Sequence, residues 1–158
     1  MTTETQSIPN IEIDNKTLVG AVESIDLPVL GLTNINTRID TGAQTSALHV
    51  DHIVVHEDKK HLSFEFHPDF HDIDKTIRCK AEIHARRWVK SSNGERERRY
   101  VIKTQAVMNA IEWDIELTLT DRSTMTHLML LGREALAGQF VVDPGSDFVA
   151  STEVNTSK

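Results

Sequence analysis

Short apolar–polar alternation recurs along this chain and constrains its fold more than any other feature. Leu62-Ser63-Phe64-Glu65-Phe66-His67 alternates strictly. Side chains of a strand point to opposite faces with a two-residue period, so this pattern reads as a half-buried β-strand. Thr76 to His84 alternates again and puts Ile77, Cys79, Ala81 and Ile83 on one face. Glu112 to Thr120 directs Trp113, Ile115, Leu117 and Leu119 inward. Further strands are expected over Lys16 to Ile25, Ile35 to Asp40, and His49 to Val55, the last led in by Ser46 to Leu48.

Turn residues separate these segments. Pro28 and Gly31 punctuate one turn, and Glu57-Asp58-Lys59-Lys60 joins a hairpin that Pro68-Asp69 ends. Ser92-Asn93-Gly94-Glu95 lies between Arg86 to Ser91 and Arg98 to Ala106. Asn-Gly tolerates positive φ at both positions, which signals a hairpin. One helix is expected, Arg133 to Ala137, ended by Gly138. Gln139 to Asp143 and Asp147 to Ala150 read as short terminal strands around Pro144-Gly145. So many short strands imply an all-β domain, closed or strongly twisted. The polar segments 1–15 and 151–158 read as flexible tails around one domain, residues 16–150.

Composition narrows the function classes. The 158 residues suit one domain, and 39% hydrophobic content can build its core. A net charge of −7 argues against nucleic acid as the main partner. Arg86-Arg87 and Arg96 to Arg99 form a local basic patch within that balance. Cys79 is the one cysteine, so no internal disulfide forms, and it reads as a small buried hydrophobe in a reducing compartment. Met1 to Asn10 has no apolar stretch for translocation, and no run is long enough to span a membrane. A cytoplasmic protein without a membrane partner is the expectation.

One motif carries chemistry. Arg38-Ile39 runs into Asp40-Thr41-Gly42-Ala43. A carboxylate at a strand end, followed by a small hydroxyl residue and a glycine, fits a tight turn that holds it clear of its own strand. Gly42 is expected to supply unusual backbone angles, and Thr41 a hydrogen bond to a neighbouring loop. Far downstream, Met129-Leu130-Leu131 is an apolar run closed by Gly132-Arg133. Taken as a pair, these segments resemble the retropepsin-like aspartic proteases, in which an Asp-Thr/Ser-Gly-Ala turn packs beside a hydrophobic-hydrophobic-Gly-Arg segment.

A set of further segments narrows the resemblance. Val19-Gly20, Leu27-Pro28, Leu30-Gly31, Asp40 to His49, His67-Pro68, Ser91 to Gly94, Thr118 to Arg122 and Leu130 to Pro144 occur in that order. Together they are similar to a bacterial retropepsin-like family labelled ATP-dependent zinc protease and associated with glutamate-ligase systems of ribosomal protein modification. The resemblance implies a retropepsin-like, acid-protease closed barrel with one short C-terminal helix. It also implies peptide hydrolysis with Asp40 as the catalytic residue, Thr41, Gly42 and Ala43 supporting the turn, and Leu131, Gly132 and Arg133 packed beside it.

The chain holds a single Asp-Thr-Gly, and the shared-proton mechanism needs two carboxylates. Asp143-Pro144-Gly145 replaces the hydroxyl residue with proline and does not fit the role. The expectation is a homodimer in which each chain gives Asp40, acting on a peptide or protein substrate. Ser92, Asn93 and Gly94 are the candidate flap over the substrate, or the tip of an ordinary surface hairpin. Retroviral enzymes pair the arginine of Gly-Arg with an aspartate four residues after the catalytic one. Gln44 stands there in this chain, which leaves Asp51 or Glu134 as partner for Arg133.

The zinc and ATP of the family label find no motif. No His-Glu-x-x-His is present, and His52 and His56 are well separated along a strand. The histidines read as scattered and solvated, so no metal and no cofactor is expected. No Gly-x-x-x-x-Gly-Lys-Ser/Thr loop occurs, so any ATP dependence would come from a partner. Two rival readings stay open: a peptide- or protein-binding module on the same fold, with Asp40 structural, and a zinc-dependent hydrolase.

Overall fold

The structure, a computed structural model, describes residues 9–68, 75–90, 94–121 and 126–153. Its first half forms β1 (Glu12–Ile13), β2 (Lys16–Val19), β3 (Val22–Leu27), β4 (Leu32–Ile39), β5 (Ser46–His49), β6 (Asp51–Val55) and β7 (His61–Phe66). The second half forms β8 (Ile77–Glu82), β9 (Ala85–Lys90), β10 (Arg96–Met108), β11 (Ile111–Thr120), β12 (Met129–Leu131), α1 (Arg133–Leu136) and β13 (Phe140–Val142). A single 3₁₀ turn, Pro28–Leu30, joins β3 to β4.

Alternation places the strands as the residues require. In β7, Leu62, Phe64 and Phe66 are buried while the residues between them are half-exposed. In β11, Trp113, Ile115, Leu117 and Leu119 are all buried, as expected. These side chains meet Ile25, Leu32, Ile39, Leu48, Ile102, Met108, Met129 and Leu131 in one core. Cys79 joins that core as a buried free thiol. Burial pushes its pKa up to about 11, so it is a protonated apolar filler at neutral pH.

Six strands close the barrel in the order β11, β5, β12, β4, β3, β10, with β10 pairing back to β11. Strand β9 extends this sheet beyond β10. A second sheet, β6-β7-β8, and a third, β1-β2-β13, complete the molecule. An all-β closed barrel with one short helix is therefore the fold.

Several expected elements divide differently. The single strand expected over Lys16 to Ile25 is two, broken at Gly20-Ala21. A Cβ on Gly20 would lie 2.4 Å from the Ser146 carbonyl oxygen, so the backbones touch there and the ladder cannot continue. The apolar run at 46–55 is also two strands. Val50 donates to the Thr120 carbonyl and is where the chain passes from the barrel to the second sheet. Asp147 to Ala150 is not a strand, because its backbone donors turn to Glu23 and Val22. Strand β1 precedes the expected domain start and pairs with β2. No helix among the described residues is long and apolar enough to cross a membrane.

Candidate active site

Asp40 leaves the end of β4 on a turn that the barrel topology builds. Strand β12 lies between β4 and β5, parallel to the first through Leu131↔Ile39 and antiparallel to the second through Met129↔Leu48. The chain leaving β4 must therefore cross over the end of β12 to enter β5. Asp40 to Thr45 makes that crossing, directly above Gly132.

Three backbone–backbone bonds and one bond to a side chain fix the crossing. The Asp40 N–H donates to the Leu131 carbonyl at 2.9 Å. Arg133 and Glu134 donate from the start of α1 to Ala43 and Gln44 at 2.8 and 3.1 Å. The Gly132 N–H donates to the Ser46 hydroxyl at 3.1 Å. A Cβ on Gly132 would lie 2.6 Å from the Thr45 carbonyl oxygen and 2.9 Å from that of Ala43, so only glycine fits beneath the turn. Leu131, Gly132 and Arg133 thus pack beside Asp40 to Ala43.

Within the turn, the Gly42 N–H donates to Asp40 Oδ1 at 2.9 Å. Gly42 is not among the glycines with positive φ, which are Gly31, Gly94 and Gly138. Its small size serves another end: a Cβ there would stand 3.2 Å from Asp40 Oδ1. The carboxylate is 26% exposed, and Arg38 Nε lies 4.0 Å from its Oδ2. Thr41 and Gly42 are exposed at the crest, where a second chain can meet them.

Arg133 has neither expected partner. Its guanidinium donates to the Thr41 carbonyl at 3.0 Å, while Asp51 pairs with His67 at 3.1 Å. With Gln44 in place of a carboxylate, the arginine grips the turn's backbone instead. Ser92 and Asn93 of the candidate flap lie outside the described residues. Gly94 is exposed with φ +88, a left-handed position that favours glycine.

A hollow of about 350 Å³ opens beside the turn. It is lined by Gln44, Thr45 and Glu134 together with Arg87, Trp88, Val89, Glu116 and Thr118. Arg87 of β9 hydrogen-bonds Glu116 of β11, and His84 Nε2 lies 3.3 Å from the second Glu116 oxygen. The Arg87 guanidinium, with burial opposing it, holds the Glu116 carboxyl below its usual range. This pair, which the sequence reading missed, ties β9 to β11 of the barrel wall beside the turn. Its only advance signal was a run of arginines opposite an acid-bearing strand.

The described histidines do not assemble a metal centre. His52 pairs with Glu65, His61 with Asp58, His67 with Asp51 and His84 with Glu116, while His56 bonds Ser63. Among the described residues no three His, Cys, Asp or Glu side chains converge to hold an ion. The described donors therefore do not fit the zinc of the family label; His71 lies outside them.

The comparisons with known proteins agree with this geometry. Residues 18–153 match the RimB-like family model, described as retropepsin-like aspartic endopeptidase RimB. A probable alpha-L-glutamate ligase of Shewanella pealeana is 42% identical over 137 residues, which are 85% of this chain and 30% of that protein. A probable alpha-L-glutamate ligase of Parasynechococcus marenigrum is 44% identical over 131 residues, 82% of this chain and 28% of that protein. The chain thus spans under a third of the curated relatives it matches. A Legionella pneumophila protein of unknown function (DUF785) has the same fold, with TM-score 0.68, 24% identity, and coverage of 84% of this chain and 97% of that one. The turn over Gly132, the six-stranded barrel around it and the match over 18–153 agree: this chain belongs to the RimB-like family of retropepsin-like proteins.

Proposed function

We propose that the protein is an aspartic endopeptidase working as a homodimer, with one water held between two Asp40 carboxylates. The observation that carries this reading is the crossing over Gly132. It presents a partly exposed Asp40, with one oxygen fixed by Gly42 and with Thr41 and Gly42 exposed beside it. One chain supplies half of a shared-proton pair, and a two-fold axis beside Thr41-Gly42 would supply the other half.

Two carboxyl groups at close range cannot both ionise, so one stays protonated. The ionised Asp40 takes a proton from the water as the oxygen attacks the peptide carbonyl. The protonated Asp40 of the second chain donates its proton to the carbonyl oxygen. Collapse of the tetrahedral intermediate breaks the C–N bond, and the amine leaves with a proton from the pair. No covalent intermediate forms on the protein.

The relatives suggest a substrate class. They carry a matching segment within longer chains named as glutamate ligases. A hydrolase joined to an enzyme that attaches glutamate suits glutamate-containing peptides. The same observation favours a second reading, a substrate-holding module with Asp40 structural.

Asp40→Asn separates them. It keeps the shape of the side chain and removes the titrating group, so hydrolysis should fall by about a hundred- to ten-thousandfold while circular dichroism is unchanged. A pure variant with wild-type peptidase activity would overturn the aspartic mechanism.

A further inference from the structure

The hairpin β9-β10 has two faces of opposite character. On one face, Arg87 pairs with Glu116, and Arg99 Nη2 pairs with Glu97 at 3.2 Å. Each arginine there has its own carboxylate. The register puts Lys90 opposite Arg96, Trp88 opposite Arg98 and Arg86 opposite Tyr100 on the other face. Those six positions hold four cations, two aromatic rings and no carboxylate. No ion pair between described residues involves Arg86, Lys90, Arg96 or Arg98. All four are exposed, and Trp88 is 59% exposed. In a chain of net charge −7, this cationic face stands against the overall balance.

The rings are already used. The Arg86 guanidinium carbon lies 4.8 Å from the Tyr100 ring centroid, and that of Arg96 lies 5.4 Å from the Trp88 centroid. A guanidinium laid over a ring is held in place, yet its edge still presents N–H donors in the fork that matches a carboxylate. A ring covered in this way is not a bare platform for a nucleic-acid base, which binds by stacking on it. The arrangement therefore favours carboxylates over bases as the anions bound.

Spacing points the same way. Same-face residues on a strand stand roughly 6.8 Å apart, and so do alternate side chains of an extended peptide. Arg86, Trp88 and Lys90 repeat at that interval along β9, and Arg96, Arg98 and Tyr100 along β10. We infer that the Arg86–Lys90 and Arg96–Tyr100 face of the hairpin is a docking surface for an extended acidic polypeptide segment, with arginines preorganised on Trp88 and Tyr100 to grip its carboxylates. The inference rests on the peptidase reading only in taking that segment to be part of the substrate.

Binding is measured on the full chain carrying Asp40→Asn, so that hydrolysis plays no part. Isothermal titration calorimetry at low salt compares an octaglutamate peptide, an octaglutamine peptide and a short single-stranded RNA. Octaglutamate should bind, octaglutamine and RNA should not, and affinity should fall steeply with added salt. Arg96→Gln with Arg98→Gln should weaken binding about tenfold or more. Trp88→Ala keeps every charge and removes one platform, and should weaken binding about threefold or more. Lys103→Gln removes an exposed cation of β10 outside this face and should leave binding unchanged. Circular dichroism checks that each variant is folded. Equal binding of both peptides, tighter binding of RNA, an unaltered Arg96/Arg98 variant or an equal loss in Lys103→Gln would each overturn the inference. Binding without hydrolysis in the unmutated protein would leave it standing and remove the peptidase reading instead.

Discussion

Asp40 owes its position to two glycines that act in different ways. Gly42 brings its N–H to the carboxylate, and Gly132 lets the turn lie on β12 without a side chain between. Gly132→Ala would drive a Cβ to within 3 Å of two backbone carbonyl oxygens. Backbone cannot swing aside as a flexible side chain can, so the variant should lose about 2–3 kcal/mol of stability, read by urea denaturation. It should also lose activity beyond what its unfolded fraction explains, because the turn itself must move. An alanine variant with wild-type stability would mean that the turn is held some other way. The motif was legible as residues, since Asp-Thr-Gly-Ala and Leu-Leu-Gly-Arg stand out in a bare sequence. The role of Gly42 was not, because a contact with a carboxylate oxygen and a left-handed backbone call for the same residue. Nor was the grip of Arg133 on the Thr41 carbonyl, since a backbone acceptor leaves no mark on sequence.

At the scale of elements, one buried carboxylate ties the segment 149–151 to β3. Glu23 of β3 is fully buried and accepts from the N–H groups of Gly20, Val149 and Ala150 at 2.7, 2.9 and 3.1 Å. The Ser151 hydroxyl donates to it at 2.5 Å and accepts from the Ser24 N–H at 2.7 Å. The segment 148–151 is pinned to β3 by this carboxylate and by the bond from Phe148 N–H to the Val22 carbonyl. Glu23→Ala leaves these donors unmet and should cost about 3 kcal/mol or more in a denaturant titration. A near-neutral result would mean that water or another group replaces it. Alternation revealed most strands, such as β7 and β11, because each buries one face. It misjudged 147–150 because partners 126 or 127 positions upstream set that backbone, and local patterning is blind to them. Strand β9 has its own tie to β11 in Arg87–Glu116. A carboxyl whose pKa is lowered on folding stabilises above its unfolded value and loses that contribution as pH falls through the folded one. Glu116→Gln should therefore lower the melting temperature at neutral pH, and the gap from wild type should close in acid, as the pH falls below the usual carboxyl range. A gap unchanged by acid would show that the pair does not act through its charge.

The whole molecule combines a closed barrel, two small sheets and one half of a candidate catalytic pair. The barrel fixes Asp40 where β4, β12 and β5 meet, and the exposed crest at Thr41-Gly42 leaves that site open on one side. On this account, dimerisation completes the chemistry as well as covering surface. The most direct test of the shared site is a mixing experiment. Wild type and Asp40→Asn are equilibrated at fixed total concentration, and hydrolysis is measured as their ratio changes. If each active centre needs Asp40 from both chains, activity falls as the square of the wild-type fraction, because every mixed dimer is dead. Activity that falls in simple proportion to the wild-type fraction would mean that each chain works alone, and would contradict the account.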